Sequence, residues 1–354
     1  MLINNVKIDQ NSPTYFIADI AANHDGDISR ARDLIYLAAE SGANAAKFQH
    51  FKADSIVSDL GFKSLGNQSS HQAKWKKSVF EVYKEASVDL SWTKELKETC
   101  EKANITFFTT PYDLKIVDFI DDYVPAFKIG SGDLTWHEII KKVALKNKPY
   151  IIATGASSIG EVVEAIDYAL KFNDNLCLMQ CNTNYTASLE NFKYINFNVL
   201  KAYRSMYPEI LLGLSDHTPG HSTVLGSIAL GARMIEKHFT DDHNREGPDH
   251  KFSMDPNEWR EMVLRSRELE VSLGSSIKRI EDNEKETVIL QRRAIRAATD
   301  LDPGTKITKE NIFPLRPCPQ NGIPPYKLNA IEGKFVSKKI KKGDLITFED
   351  LIKG

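Results

Sequence analysis

GLSDHTPG (residues 213–220) and ALGARMIEKHFT (residues 229–240) are the segments that decide the fold of this chain. Each contains a short apolar run that ends in polar and charged residues, and the residues between the runs suffice for one helix. A strand, a helix and a second strand in this order form a parallel βαβ unit, whose strands lie side by side. The two polar ends, Ser215–His217 and Glu236–His238, are therefore expected at the same edge of one sheet.

The same alternation of apolar runs and amphipathic segments extends back to residue 16. The predicted strands are Phe16–Ala22, Ala45–Phe51, Ile105–Pro111, Ala126–Gly132, Tyr150–Gly155, Leu176–Asn182, Ile210–His217 and Met234–Thr240. Between them, segments such as Ser29–Glu40 and Ser91–Ala103 have apolar residues at helical spacing. Nearly continuous apolar strands are typical of a parallel sheet covered on both faces. Eight such units predict an α/β fold, a (β/α)₈ TIM barrel, whose active site lies at the carboxyl ends of the strands.

The pattern changes after the eighth unit. Asn257–Leu273 is predicted to be a helix, and Lys278–Val288 is a charged helix or linker. From Arg293 onwards, short strand-like runs alternate with Pro-Gly and Lys-Gly-Asp turn signals. We predict a catalytic barrel domain over residues 1–275, a linker over 276–292 and a small β-rich domain over 293–354. Within the last domain, LDPGTKIT (301–308) and IKKGDLIT (340–347) indicate a weak internal repeat.

The composition excludes several classes of protein. A net charge of -2 gives no strong attraction to nucleic acid or to an anionic membrane. The N-terminus lacks the pattern of a signal peptide, and no apolar run approaches the roughly 18 residues of a membrane span. The four cysteines contain no Cys-x-x-Cys pair, which favours free thiols in a reducing compartment. We therefore expect a cytoplasmic protein with neither a nucleic-acid nor a membrane partner.

Two histidines at neighbouring strand ends give the strongest chemical signal. His217 and His238 follow the seventh and eighth predicted strands and are flanked by Asp216 and Glu236. Imidazoles that converge at the barrel mouth can bind a divalent metal and leave positions open for a substrate. Buried core histidines are the alternative interpretation, and the position at the strand ends favours metal binding. Lower-ranked candidates, because they fall in predicted loops, are His24, His221 and His243.

Two lysines inside predicted strands indicate an anion site. Lys47 and Lys128 are costly to bury unless each ammonium meets an anion. Ser131 offers a hydroxyl next to Lys128, and the glycines on either side of it allow close approach of a ligand. Together these residues predict a phosphate or carboxylate cradle. A structural ion pair with a strand carboxylate such as Asp19 is the alternative.

Polar residues in two loops complete the candidate site. Asn182, Asn184 and Tyr185 follow the sixth predicted strand, and Gly247–Asp249 follows the eighth. Their side chains can hydrogen-bond a polyhydroxylated substrate, although such residues are also ordinary in loops.

These segments together resemble the sialic acid synthase family. The resemblance rests on FIADIAANHDG (16–26), AAKFQ (45–49), FKIGSGD (127–133), GLSDHTPG, ALGARMIEKHFT and GPDHKFSM (247–254). The later segments LRPCPQNGIPP (315–325) and IKKGDLI (340–346) resemble the antifreeze-like SAF domain of that family. The motifs recur in order over nearly the whole chain.

The resemblance implies an aldol-type condensation of phosphoenolpyruvate with an N-acetylmannosamine-like sugar, giving a 3-deoxy nine-carbon keto acid and phosphate. It implies a divalent metal, Mn²⁺ before Mg²⁺ or Co²⁺, and a domain-swapped homodimer. His217 and His238 match the metal ligands, and Asp19, Lys47 and Glu236 match catalytic positions. The implied substrate-binding residues are Gln49, Thr110, Lys128, Ser131, Asp133, Asn182 or Asn184, Tyr185, Ser215, Asp249 and, from the partner's SAF domain, Arg316.

This sequence departs from the family pattern at several positions. Asp19 and Asp133 stand where better-known members have glutamate, Ala153 stands where many have serine, and Gly61–Lys77 is unlike them. We hypothesise that these changes alter the sugar pocket. Alternatives remain a legionaminic or pseudaminic acid synthase using a diacetamido-trideoxyhexose, a synthase of the 3-deoxy-octulosonate 8-phosphate kind, or a non-catalytic sugar-binding scaffold.

Overall fold

The computed structural model describes residues 1–65, 72 and 75–353, so part of the unusual segment 61–77 lies outside the described residues. The chain divides into two units, Met1–Gly274 and Ser275–Gly354. None of the helices in the described part of the chain is long and apolar enough to cross a membrane.

Parallel strands form the centre of the first unit. After a short antiparallel hairpin of β1 (Leu2–Ile3) and β2 (Val6–Lys7), the strands are β3 Tyr15–Asp19, β4 Ala45–His50, β5 Thr106–Pro111, β6 Phe127–Ile129, β7 Tyr150–Ala153, β8 Leu176–Cys181, β9 Leu211–Asp216 and β10 Ala232–His238. They form one eight-stranded sheet in the order β5-β4-β3-β10-β9-β8-β7-β6, and the end strands β5 and β6 lie against each other. Each predicted strand overlaps an observed one, and the predicted α/β barrel with a small β-rich domain is confirmed.

Helices follow the strands and cover the outside of the sheet. Their bounds are α1 Ile28–Glu40, α2 Ala53–Ile56, α3 Asp59–Ser64, α4 Val79–Ala86, α5 Thr93–Lys102, α6 Leu114–Ile120, α7 His137–Ala144, α8 Ile159–Ala169, α9 Val199–Met206, α10 Ser222–Ala229 and α11 Pro256–Leu273. Side-chain caps fix several starts: Asp27 caps α1, and Ser158 with Glu161 forms a capping box on α8. The predicted helix Ser91–Ala103 is a 3₁₀ turn, Leu90–Trp92, followed by α5.

Alternation along the strands separates two apolar cores. One face of each strand packs against the helices, as Phe16, Phe48 and Leu214 do. The opposite face fills the barrel interior with residues such as Ile17 and Met234, and Ile3 of the N-terminal hairpin belongs to the same cluster. Towards the carboxyl ends, the inward positions become polar and charged. This switch in residue type creates a polar layer at the mouth of the barrel.

The second unit contains short paired strands. Helix α12 (Lys285–Gln291) precedes two antiparallel pairs, β11 (Ala294–Ala297) with β12 (Ile312–Leu315) and β13 (Phe335–Val336) with β14 (Leu351–Ile352). Two 3₁₀ turns, Pro325–Ala330 and Phe348–Asp350, belong to it as well. Its core is largely isoleucine, including Ile295, Ile307 and Ile346. Helix α12 begins later than predicted, because Asp282–Glu284 forms a separate 3₁₀ turn.

The internal repeat has a structural counterpart. Leu301 and Ile340, the first residues of the two similar segments, exchange backbone hydrogen bonds of 2.7 and 2.9 Å. Each segment then makes the same turn, with Gly304 at φ 86° and Gly343 at φ 88°. Residues with a β-carbon adopt this left-handed conformation at a cost, so glycine is favoured at both turns.

Candidate active site

The inward side chains at the carboxyl ends of β3, β4, β6, β9 and β10 form a buried charged layer. Lys47 lies 2.7 Å from Asp19 Oδ2, 3.6 Å from Glu236 Oε1 and 3.3 Å from Thr110 Oγ1. Gln49 Nε2 donates to the same oxygen of Asp19 at 3.1 Å. Burial and the Glu236 carboxylate raise the pKa of Asp19, against the opposing effect of Lys47. The ion pair between a strand lysine and Asp19, which is the alternative to an anion site in the sequence analysis, is therefore present. This pair lies within the candidate site.

Glu236 joins this pair to the second strand lysine. Lys128 Nζ donates to Glu236 Oε1 at 3.0 Å, and Ser215 Oγ donates to it at 3.3 Å. Burial raises the pKa of Glu236, but Lys128 and Lys47 outweigh burial and lower this pKa to about 2. Glu236 Oε2 is buried and has no hydrogen-bond partner. The layer thus presents an ionised carboxylate oxygen that a ligand can satisfy.

The two histidines converge beside this layer. The ring centroids of His217 and His238 are 5.3 Å apart. His217 Nδ1 lies 2.9 Å from the carbonyl oxygen of Asn182, which can only accept, so Nδ1 carries the proton and Nε2 the lone pair. Burial lowers the pKa of both imidazoles to about 3, which keeps them neutral. His238 Nδ1 is buried without a hydrogen-bond partner. Neutral imidazoles with an unpartnered nitrogen fit a divalent metal ion.

Aromatic rings enclose the histidines. Tyr185 packs against His217 with a centroid distance of 4.4 Å, and Phe252 packs against His238 at 4.9 Å. Beside them lies a cavity of about 150 Å³. Its lining consists of Ala22, Gln49, Phe51, Gln72, Trp75, Val82, Tyr83, Ala86, Tyr112, Tyr185, His238, Pro248 and Asp249. Four aromatic residues of this lining, Phe51, Trp75, Tyr83 and Tyr112, form what we call the aromatic wall, and its polar residues carry amide, imidazole and carboxyl groups.

Asp249 is a titratable group in this cavity. Its Oδ2 accepts a hydrogen bond from the backbone N–H of Ala22 at 3.1 Å. Burial raises its pKa to about 7. A carboxyl group with this pKa can exchange a proton or a hydrogen bond with a substrate hydroxyl near neutral pH.

The loop after β6 carries two further predicted residues. Ser131 Oγ accepts from the backbone N–H of Gly155 at 2.9 Å, which joins the ends of β6 and β7. A β-carbon at position 155 would lie 2.4 Å from the Thr183 methyl group, so glycine is needed for this approach. Asp133 Oδ2 is buried without a partner, and burial raises the pKa of Asp133 to about 6.

The two asparagines after β8 have different surroundings. Asn182 orients His217 through its backbone carbonyl, and its side chain donates to Tyr194 O at 3.2 Å. Asn184 Oδ1 accepts from Thr186 and Asn191 and so shapes the loop itself. Of the two, Asn182 is the one linked to the histidines. A contact of either amide with phosphoenolpyruvate stays a prediction.

Asp216, counted as a flank of the histidine pair, is bound to Lys237 on the helix side of the sheet, because neighbouring strand residues point to opposite faces. Arg316 is an exposed residue of the second unit, and its role stays a prediction. The lower-ranked His243 lies within 3.5 Å of Asp255 and Glu258, the carboxylates that cap α11.

The sequence reasoning missed the aromatic wall. Phe51 follows β4, Tyr112 follows β5 and Tyr83 lies on α4. Large aromatic residues are common in cores, so no local pattern distinguishes these three. Their convergence at the strand ends of a barrel is the only signal that can identify them.

The chain is similar to known proteins over most of its length. The family model described as the NeuB family matches residues 34–278, and that of the SAF domain matches 292–352. N,N'-diacetyllegionaminic acid synthase of Legionella pneumophila is 36% identical over 99% of this chain and 98% of its own. The enzyme of that name from Campylobacter jejuni is 34% identical over 94% of this chain and 98% of its own. A solved N-acetylneuraminic acid synthetase from Leptospira borgpetersenii has a TM-score of 0.70 and 28% identity over 81% of this chain and 94% of its own.

Proposed function

Because the chain belongs to the NeuB family, the family of sialic, legionaminic and pseudaminic acid synthases, we propose that it condenses phosphoenolpyruvate with an open-chain amino sugar. The products are a 3-deoxy nine-carbon 2-keto acid and phosphate. One observation carries this proposal: a buried layer of Asp19, Lys47, Glu236 and Lys128 lies at the barrel mouth beside two neutral histidines.

The charged layer supports binding of the anionic substrate. Lys47 and Lys128 supply two buried ammonium groups for the phosphate and carboxylate of phosphoenolpyruvate. Thr110 Oγ1 lies 3.3 Å from Lys47 Nζ, and Ser215 Oγ donates to the Glu236 oxygen that Lys128 contacts, so both hydroxyls are near the ammonium groups. Charges fixed before the substrate arrives need no reorganisation during the reaction, which makes them effective in catalysis. Lys47 and Lys128 would exchange part of their contact with the carboxylates for the substrate.

The reaction needs one new carbon–carbon bond and the loss of phosphate. The methylene carbon of phosphoenolpyruvate attacks the aldehyde carbon of the sugar, and the aldehyde oxygen gains a proton. Water adds to the second carbon of phosphoenolpyruvate and loses one proton, which balances the proton gained by the aldehyde oxygen. The resulting hydroxyl loses its proton as the carbon–oxygen bond to phosphate breaks, which gives the 2-keto group and phosphate. Asp19 is our candidate base for that water, because its raised pKa favours proton uptake. A divalent ion held by His217 and His238 would polarise the aldehyde as a Lewis acid.

For the acceptor we propose a diacetamido-trideoxyhexose, the sugar of a legionaminic acid synthase. The aromatic wall of Phe51, Trp75, Tyr83 and Tyr112 suits deoxy and acetamido methyl groups, and Gln49 and Asp249, which line the same cavity, suit the hydroxyl groups of the sugar. The two legionaminic acid synthases, at 34% and 36% identity, support this choice. N-acetylmannosamine is the second candidate, favoured by the likeness to the Leptospira synthetase. The metal as Mn²⁺ and the domain-swapped homodimer remain proposals from the resemblance.

The test is phosphate release from phosphoenolpyruvate with Mn²⁺ across both sugars and N-acetylmannosamine 6-phosphate, with product masses measured alongside. We expect release that requires the diacetamido sugar and yields a product of the matching nine-carbon mass. Greater release with N-acetylmannosamine would reassign the acceptor. Absence of release with every sugar and metal, in a protein that is folded, would contradict the proposed reaction.

A further inference from the structure

A second acid–lysine pair lies directly behind the candidate active site. Asp216 on β9 and Lys237 on β10 are register partners in the sheet, next to the partners Ser215 and Glu236. Their side chains lie on the helix side, where Thr223 of α10 donates to Asp216 Oδ2 at 2.8 Å. Both side chains are almost completely buried, with exposures of 0% and 1%. No step of the proposed reaction uses them.

The contacts of this pair are complete and short. Lys237 Nζ lies 2.5 Å from Asp216 Oδ2 and donates to the carbonyl oxygen of Thr218 at 2.6 Å. Thr218 in turn donates to Asp216 through its hydroxyl, at 2.9 and 3.0 Å to the two oxygens. One lysine on β10 therefore holds the residues on both sides of His217. Since Lys237 itself separates Glu236 from His238, a shift of the pair displaces residues on both strands.

We infer that Asp216 and Lys237 are a positioning pair that fixes the separation of the His217 and His238 rings and so sets the affinity for a divalent cation. The inference rests on the proposed function, in which these rings hold the metal. Groups that orient metal ligands from behind typically change metal affinity about 10- to 100-fold when removed. A pair that only stabilised the fold would affect metal binding no more than any other buried contact.

Single and double substitutions of Asp216 and Lys237 distinguish a positioning role from a role in fold stability alone. Lys237→Met or Asp216→Asn leaves one buried charge unpaired, so each single variant is expected to lose thermal stability. The double variant Asp216→Asn/Lys237→Met is neutral and is expected to recover much of that loss. Thr223→Val removes one hydrogen bond to Asp216 with little change in shape and serves as a milder variant. Val143→Ala in α7 is the control, because Val143 is buried near the helix end that faces away from the mouth.

The measurement is Mn²⁺ affinity of the metal-stripped full-length chain, from the electron paramagnetic resonance signal of free Mn²⁺, beside the melting temperature. We expect the double variant to bind Mn²⁺ about 10- to 100-fold more weakly than wild type although its stability recovers. We expect Thr223→Val to show a smaller loss and Val143→Ala none. Wild-type affinity in the double variant would overturn the positioning role and leave the proposed function intact. Lack of Mn²⁺ binding by wild type would overturn the metal site itself.

Discussion

Two acid–lysine pairs lie at the ends of neighbouring strands, on opposite faces of the same sheet. Asp19 and Lys47 face the barrel interior, and Asp216 and Lys237 face the helices. The two pairs are alike in burial, with exposures of 2% or less, and in separation, at 2.7 and 2.5 Å. Neither the charge nor the burial of a pair therefore identifies a functional site.

The difference lies in what surrounds each pair. Among the described residues, the inner pair borders buried polar atoms without partners, Glu236 Oε2 and His238 Nδ1. The outer pair is enclosed by Thr218 and Thr223, which satisfy the oxygens of Asp216. Buried polar atoms without partners are costly and are rare in native structures. Their clustering on the inner face indicates a ligand site, whereas the polar atoms of the outer pair are already satisfied by protein groups.

The largest expected effect follows from removing a metal ligand on the inner face. His217→Ala is expected to abolish metal-dependent phosphate release while leaving the fold intact, because within the described part of the chain the ring makes one hydrogen bond, to the Asn182 carbonyl, and no ion pair. Turnover with a range of Mn²⁺ concentrations measures this. His243→Ala is the matched control, since His243 lies at the start of α11 with its capping carboxylates. Full turnover in His217→Ala, or equal losses in both variants, would contradict the metal assignment.

A smaller, though still large, loss of activity is expected when Lys47 of the inner pair loses its ammonium group. Lys47→Met retains the length of the side chain but removes the ammonium that we assign to phosphoenolpyruvate. By analogy with loss of one preorganised donor, kcat/KM for phosphoenolpyruvate should fall about 10²- to 10³-fold. Lys142→Met, which disrupts an exposed pair with Asp118, should leave it unchanged. A comparable fall in both variants would show that the inner pair has no special role.

The smallest effect concerns the pH dependence of stability at Asp249. Its pKa in the folded chain is about 7 against a usual 3.8, so the unfolded chain loses this proton first as pH rises. Stability is therefore lost between about pH 4 and pH 7, and the full penalty applies above pH 7. Asp249→Asn removes the penalty, so its melting temperature should exceed that of wild type at pH 8 by a few degrees and match it near pH 4.

Asp118→Asn is the comparison variant, for which we expect the opposite change in stability. Hydrogen bonds from Lys142 and Lys146 lower the pKa of Asp118, so its charge stabilises the folded chain, although weakly at the surface. An Asp249→Asn variant that is less stable than wild type at pH 8 would contradict the raised pKa.

Much of this could be predicted from the sequence because the barrel repeats one pattern. Apolar runs that end in polar residues located the strands, and strand order placed Lys47, Lys128, Glu236 and the histidines together. Asp216, which flanks His217 in the sequence, lies outside the site for a physical reason: adjacent residues of a strand point to opposite faces, so a neighbour in sequence need not be a neighbour in the site. The resemblance supplied the specific roles, which composition and spacing alone do not give.

The wall of the cavity could not be predicted in the same way. Phe51 and Tyr112 come from the segments after two strands and Tyr83 comes from α4, and their convergence depends on tertiary packing. The different roles of Asn182 and Asn184 could not be predicted either. Only the hydrogen bonds of the structure show that Asn182 orients His217 and that Asn184 shapes its own loop.

The most direct test of the central claim is a crystal of the chain soaked with Mn²⁺ and phosphoenolpyruvate, with anomalous scattering used to locate the ion. We predict an anomalous peak at coordination distance from His217 and His238, with phosphoenolpyruvate density against Lys47 and Lys128. Density that leaves the inner face empty, with Mn²⁺ instead at His243, Asp255 and Glu258, would contradict the assignment of the barrel mouth as the active site.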